Sequence, residues 1–175
     1  MTDIKKTDLK RIKLLAMDVD GVLTDGTVTI ASDGAEFKTF NLLDGHGIRM
    51  WHRAGLQTAL ISGRESVVTK QRAEQMKVNF LYQPCQRKLT CFEKLLTDSQ
   101  LELCNIAYIG DDVLDIPIVK RVGFGIAVAN AVDELKNHAH YITSRPGGKG
   151  AVREVIEYIL KNTGRWTELM ERYLV

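Results

Sequence analysis

Three short, mainly apolar runs, each cut off by a polar or acidic residue, constrain this chain more than anything else in it. Leu14-Leu15-Ala16-Met17 stops at Asp18, Leu56 to Ile61 stops at Ser62-Gly63, and Ile106 to Ile109 stops at Gly110-Asp111. Short runs that do not alternate with polar residues are strands buried on both faces, as in a parallel sheet. Weaker strand signals lie at 125–129 and 139–142, and helical patterns at about 46–54, 65–76, 87–97, 112–121 and 131–137 separate the runs. A further helix is expected over 151–161, then an amphipathic turn carrying Trp166 and Tyr173. This order predicts an α/β fold, a doubly wound, Rossmann-like parallel sheet with helices on both faces.

One segment breaks the pattern. Val28-Thr29-Ile30, then Asp33-Gly34, then Phe37 to Phe40 reads as a β-hairpin, with Asp-Gly as its turn. It follows the first strand, where a helix would normally come, so a projecting flap is expected over about 26–40. No repeat or Pro-rich linker divides the 175 residues, and one domain over 1–175 is expected, with a C-terminal tail from about 144.

Composition excludes several classes. Hydrophobic residues at 45% and charged residues at 26% describe an ordinary globular domain, not a disordered chain. Folding at this length buries roughly two-thirds of the surface, enough for a core without staples. The net charge of +2 gives no electrostatic case for nucleic acid, and the basic start (Lys5, Lys6, Lys10, Arg11, Lys13) reads as a solvated terminus. There is no stretch of about 20 apolar residues for a membrane span and no apolar signal core, so the expected location is cytoplasmic. The three cysteines, Cys85, Cys91 and Cys104, form no C-x-x-C pair and are expected to be reduced thiols. Gly147-Gly148-Lys149-Gly150 has the wrong spacing for a P-loop, and Gly123-x-Gly125-x-x-Val128 lacks the third glycine of a dinucleotide fingerprint.

Open α/β sheets bind ligands at the carboxyl ends of their strands. Here those ends carry Asp18-Val19-Asp20-Gly21, Ser62-Gly63-Arg64 and Gly110-Asp111-Asp112, while Lys88 opens the helix between the last two. Carboxylates brought within about 4 Å repel by roughly 4 kcal/mol per pair at an effective dielectric of 20. Convergence of Asp18, Asp20 and Asp111 therefore calls for a hard cation, and all-oxygen ligation suits Mg²⁺.

In order, D-x-D-G-V-L-T, I-S-G-R, a lysine and G-D-D-x-x-D resemble the four signature motifs of the haloacid dehalogenase superfamily. The resemblance implies that Asp18 is a nucleophile forming an aspartyl phosphate, and that Asp20 is the general acid and base. Ser62 and Lys88 would hold and neutralise the phosphoryl oxygens. Asp18, Asp20 and Asp111 would hold Mg²⁺, with Asp112 as a further ligand or a neighbour of one. An Asp at position 20 implies phosphoryl transfer, because carbon–halogen cleavage needs no proton for an alkoxide.

Members of the superfamily commonly cover the site with a cap domain. Asp18 and Ser62 are 44 residues apart, and Ser62 and Lys88 are 26 apart, too few for a cap once sheet and helices are built. A capless enzyme acts on a macromolecule or borrows its lid from a neighbouring subunit. The hairpin positions Val28, Ile30, Phe37 and Phe40 either bury against other copies or pack on their own domain.

Phe40-Asn41-x-x-Asp44-Gly45-x-Gly47-Ile48-Arg49, Ile61 to Arg64 and Gly147 to Glu154 are similar to segments of the capless phosphatases of 3-deoxy-D-manno-octulosonate 8-phosphate. That family forms homotetramers whose subunits complete one another's sites. The resemblance implies a small sugar-acid phosphate as substrate, met by Asn41, Leu42, Leu43, Asp44, Gly45 and Arg49, with Asp20 and Lys88 also in contact. Arg64 and Arg72 match arginines that meet the sugar acid across a subunit boundary, against the alternative of a solvated helix face. Gly147 to Gly150 is either a tail that closes over a neighbour's site or a loop before a helix. The rival readings are a phosphatase of nine-carbon 2-keto-3-deoxy sugar acid 9-phosphates, a non-catalytic oligomerisation domain and a protein-phosphate phosphatase.

Overall fold

The computed structural model describes residues 7–175. Lys5 and Lys6 of the basic start lie outside the described residues. The chain runs β1 (Leu14–Met17), β2 (Thr29–Ile30), β3 (Glu36–Phe37), α1 (Leu42–Arg53), β4 (Gln57–Ile61), α2 (Val67–Met76), β5 (Phe80–Tyr82) and α3 (Lys88–Ser99). It continues through β6 (Ile106–Gly110), α4 (Ile116–Val119), β7 (Phe124–Ala127), α5 (Asp133–Lys136), β8 (Tyr141–Ile142), α6 (Ala151–Asn162) and α7 (Trp166–Glu171).

Six strands form the main sheet in the order β5-β4-β1-β6-β7-β8, all pairs parallel. The first strand is central because Leu14 to Met17 are wholly buried and tolerate neighbours on every side. Met17 stands opposite Leu60 of β4 and Ile109 of β6. One step further, Asp18, Ile61 and Gly110 end three adjacent strands at the same level. The chain leaves β1 toward β4 on one side and β6 on the other, which makes this edge a topological switch point.

Helices flank the sheet, with α1 against α6 and α3 against α4. The buried residues of α6 recur as Ala151, Val152, Val155, Ile156, Ile159 and Leu160, a single stripe at helical period. Trp51 fastens α1 to the sheet edge, its ring wholly buried and its Nε1 donating to the carbonyl of Gln57 at 2.7 Å.

The doubly wound reading is borne out, with two differences. β5 is an additional strand: Phe80-Leu81-Tyr82 is an apolar run of only three residues, half-buried on the sheet edge. The expected helix over 112–121 is shorter, a 3₁₀ turn at Val113–Asp115 leading into α4. The hairpin forms its own two-stranded antiparallel sheet, with Gly34 at φ +85° in the turn. It stands off the core and leaves Ile30 66% and Phe37 59% exposed.

The cysteines correct the sequence reading. Cys85 and Cys91 are joined in a disulfide, with their Cα atoms 6.2 Å apart, and only Cys104 is free. The link was hidden in sequence because it depends on a reversal at residues 83–87. That reversal, held by the Cys85 N–H donating to the Ser62 carbonyl at 2.9 Å, folds Cys85 back onto the first turn of α3.

Candidate active site

Asp18 is placed by the sheet itself. Its N–H donates to the Ile109 carbonyl at 3.0 Å, extending the β1–β6 ladder one step beyond the strand. Its Oδ1 accepts from the Val19 N–H at 2.6 Å, and its Oδ2 pairs with the Lys88 ammonium. Lys88, the first residue of α3, reaches back under the sheet edge and also donates to Asp115 Oδ1 at 2.6 Å.

Asp115 organises the far side of the site. Oδ1 also accepts from the Tyr108 hydroxyl at 2.7 Å, while Oδ2 accepts from the N–H groups of Asp111 at 3.0 Å and Asp112 at 3.3 Å. Gly110 is required here, since a Cβ would stand 2.5 Å from the Cβ of Asp115. Gly21, at φ +85°, plays the matching part on the first loop, where a Cβ would fall 2.0 Å from Oδ2 of Asp111.

The electrostatics follow from crowding carboxylates in a partly dry place. Burial raises Asp18 to about 6, with Lys88 pulling down and Asp115 pushing up. Burial and then the charges of Asp18 and Asp115 raise Asp111 to about 7. For Lys88, burial works against the ammonium but the two carboxylates outweigh it, and its pKa is raised.

Asp18, Asp20, Gly26, Gly63, Arg64, Lys88, Asp111, Asp112 and Leu114 line one cleft of about 230 Å³. The acids and the lysine thus come together as the sequence implies, while Arg64, expected to act across a subunit boundary, lines the cleft of its own chain. Ser62 lies at the same sheet edge, buried, with its hydroxyl donating to the Arg64 carbonyl at 3.1 Å.

The remaining residues are placed elsewhere within the single chain. Leu42, Gly45, His46, Arg49, Arg72, Gln75 and Met76 line a second pocket of about 160 Å³ between α1 and α2. Arg72 Nε is buried without a hydrogen-bond partner, and its guanidinium lies 5.5 Å from the centre of the Phe40 ring. Burial, then the neighbouring Arg49, lowers the Arg72 pKa, the mark of two cations placed side by side. Asn41 caps α1, its Oδ1 accepting from the Leu43 N–H at 2.8 Å, while Leu42 and Leu43 are exposed. Asp44 is buried and accepts from the Arg153 N–H at 2.7 Å, a carboxylate on the first turns of α6. Gly147 and Gly148 pack on the chain's own first loop, with the Gly148 N–H donating to the Val22 carbonyl at 2.9 Å.

Two residues in the cleft's surroundings were not singled out from sequence, Glu36 and Lys38 of the hairpin. The Lys38 ammonium lies 2.7 Å from Asp20 Oδ1. Their spacing of two on an extended strand, which puts both on one face, was the available signal.

Residues 74–156 match the family model of the haloacid dehalogenase-like hydrolases. The 3-deoxy-D-manno-octulosonate 8-phosphate phosphatase KdsC of Salmonella typhi is 40% identical over 162 residues, which is 93% of this chain and 86% of that protein. The chain belongs to the KdsC family of haloacid dehalogenase-like hydrolases. The crystal structure of a probable YrbI family phosphatase from Pseudomonas syringae shares 46% identity at a TM-score of 0.93, over 95% of each chain. The 3-deoxy-D-manno-octulosonate 8-phosphate phosphatase of Moraxella catarrhalis, solved with magnesium, phosphate and a KDO molecule, shares 39% identity at a TM-score of 0.93 over 99% of each chain.

The donor set of this KdsC-family chain fits Mg²⁺. Carboxylate oxygens of Asp18, Asp111 and Asp115 lie within 4.8 Å of one another. Each Asp115 oxygen already takes two donors, whereas each Asp18 oxygen takes one, so Asp18 and Asp111 are the carboxylates with acceptor capacity left for an ion. Burial, then the charges of Asp18 and Asp115, push Asp111 upward, and a hard dication beside these acids would offset that repulsion.

Proposed function

We propose that this chain hydrolyses 3-deoxy-D-manno-octulosonate 8-phosphate to the free sugar acid and phosphate, through an aspartyl phosphate on Asp18. The observation that carries the reading is the Asp18–Lys88–Asp115 ion-pair chain at the carboxyl end of the central strand, with Asp111 alongside. A carboxylate held by one ammonium and braced by its own backbone is aimed and partly neutralised, as an attack on an anionic phosphoryl group requires.

Asp18 attacks phosphorus, and the ester bond to the sugar oxygen breaks. Asp20, in the same cleft, gives a proton to that oxygen and then takes one from the water that hydrolyses the phosphoenzyme. Lys88 and Ser62 hold the transferring oxygens. When bound, Mg²⁺ would supply positive charge that lessens the repulsion between the acids of the site and an anionic phosphoryl group. Its protein ligands would be the carboxylates of Asp18 and Asp111, whereas the carboxylate of Asp20, expected as a third ligand, is engaged by Lys38 and stands outside the Asp18–Asp111–Asp115 cluster.

The cationic Arg49–Arg72 pocket shares no lining residue with the cleft of the acids and Lys88. This supports a homotetramer in which each phosphate cleft is completed by a neighbour's arginines, which would take the sugar carboxylate. The exposed Ile30 and Phe37 of the flap supply an apolar contact for that assembly. A cytoplasmic site is consistent with the small charged substrate, and no helix among the described residues is long and apolar enough to cross a membrane.

The test is phosphate release from the eight-carbon 8-phosphate beside a nine-carbon 9-phosphate, each with Mg²⁺ and with EDTA. Metal-dependent release with preference for the eight-carbon ester supports the whole reading. A reversed preference keeps the chemistry and replaces the substrate. No release from either removes the phosphatase reading.

A further inference from the structure

Lys38 follows β3 at the base of the flap, and its side chain is wholly buried. A buried ammonium must be matched by charge or by acceptors. It lies 2.7 Å from Asp20 Oδ1 and 3.5 Å from Glu36 Oε1, and it donates to the Thr69 hydroxyl at 3.3 Å. Asp20 Oδ1 is buried and accepts no hydrogen bond, so this ion pair is the one charged contact of that carboxylate among the described residues.

The contact does not end at Lys38. Glu36 Oε1 also accepts from the Ser66 hydroxyl at 2.8 Å, and the same hydroxyl caps α2 by accepting from the Thr69 N–H at 3.2 Å. Glu36 Oε2 lies 3.6 Å from the guanidinium of Arg64. A continuous set of charged contacts therefore runs from Asp20 through the flap to the turn that follows β4, the turn that carries Ser62 and Arg64.

We infer that Lys38 is a positioning residue for the phosphatase reaction. From the flap it aims the Asp20 carboxylate, and through Glu36 it ties that aim to the docking of the flap on the start of α2. Asp20 sits on a loop, and a carboxylate there samples several rotamers unless a fixed partner selects one. Catalysis by a proton donor falls steeply when its placement is loosened. The inference rests on the phosphatase reading above, in which Asp20 protonates the leaving oxygen.

Lys38→Met, Lys38→Arg, Asp20→Asn and the Lys38→Met/Asp20→Asn pair test it, assayed as the full chain with Mg²⁺ on two esters. One ester is the sugar 8-phosphate, whose alkoxide needs a proton. The other is p-nitrophenyl phosphate, whose leaving group does not. Lys38→Met should lower kcat/KM on the sugar phosphate by about 10- to 100-fold and on p-nitrophenyl phosphate by less than about threefold. In the Asp20→Asn background the same change should matter less than about twofold, because positioning acts through Asp20. Lys38→Arg, which keeps the charge, should recover most of the loss.

Equal losses on both esters, or a full loss in the Asp20→Asn background, would overturn the inference while leaving the wild-type phosphatase intact. A wild-type chain inactive on both esters would overturn the phosphatase reading and this inference together.

Discussion

Tyr108 and Lys88 meet on a single oxygen: both donate to Oδ1 of Asp115, at 2.7 and 2.6 Å. The hydroxyl comes from the middle of β6 and the ammonium from the first residue of α3, so the shared oxygen joins the sheet to the helix that carries Lys88. Tyr108 is wholly buried, and burial followed by the charge of Asp115 raises its pKa well above the usual phenol value, which keeps it a donor. Tyr108→Phe should lower unfolding free energy by about 1–2 kcal/mol, the usual range for a buried hydrogen bond to a charged group. Turnover should fall by roughly tenfold as Lys88 loses its fixed anchor. Urea unfolding and phosphate release measure the two effects, and unchanged turnover would show that Lys88 is held without Tyr108.

Asp18→Asn keeps the size of the side chain but removes the nucleophile. Phosphate release should fall by at least about 10³-fold, as for removal of a catalytic nucleophile elsewhere. The circular dichroism spectrum and the assembly state should be preserved. Substantial residual release would place the nucleophile at another residue.

Metal and proton should compete at the same two acids. Without the ion, Asp18 titrates at about 6 and Asp111 at about 7, both above the value of 3.8 expected in the unfolded chain. A raised folded pKa means that the stability contributed by these groups is full below 3.8 and is lost as pH rises through 6 and 7. Mg²⁺ restores it where the protons have left. The rise in melting temperature on adding Mg²⁺ should therefore be several-fold larger at about pH 8 than at about pH 5. Equal shifts at both pH values would mean that the ion binds away from Asp18 and Asp111.

Gly21→Ala would force a Cβ to within 2.0 Å of Asp111 Oδ2, at a φ of +85° that L residues avoid. It should destabilise the fold by about 1–3 kcal/mol through strain. Displacing Asp111 should also weaken Mg²⁺ binding by about 10- to 100-fold, measured by calorimetry. Unaltered metal affinity would exclude Asp111 as a ligand.

The catalytic edge was legible early because its signals are local. Asp18, Ser62 and Asp111 each end a run whose side chains must be buried, and a buried parallel strand can place its next polar residue only at the carboxyl edge. Parallel register then levels the three ends, as Met17 opposite Leu60 and Ile109 shows. Edge elements were less legible. The half-buried Phe80 to Tyr82 form a strand by pairing with β4, and an apolar run of only three residues is too short to announce that.

Sequence alone determined the α/β class, the strand-end acids, the lysine of α3 and the flap, because hydrophobic period and turn chemistry act over a few residues. Tertiary structure alone decided which charges meet. Lys38 and Glu36 have the composition of a solvated hairpin face, yet folding buries the ammonium against Asp20. Arg49 and Arg72 match sugar-binding residues, and only the packing of α1 on α2 shows that they share a pocket apart from the acids of their own chain. Cys85 and Cys91 pair because the chain reverses after β5. In each case the partner is set by where distant segments cross, and a charge or thiol reveals its partner only after desolvation has removed the alternative of water.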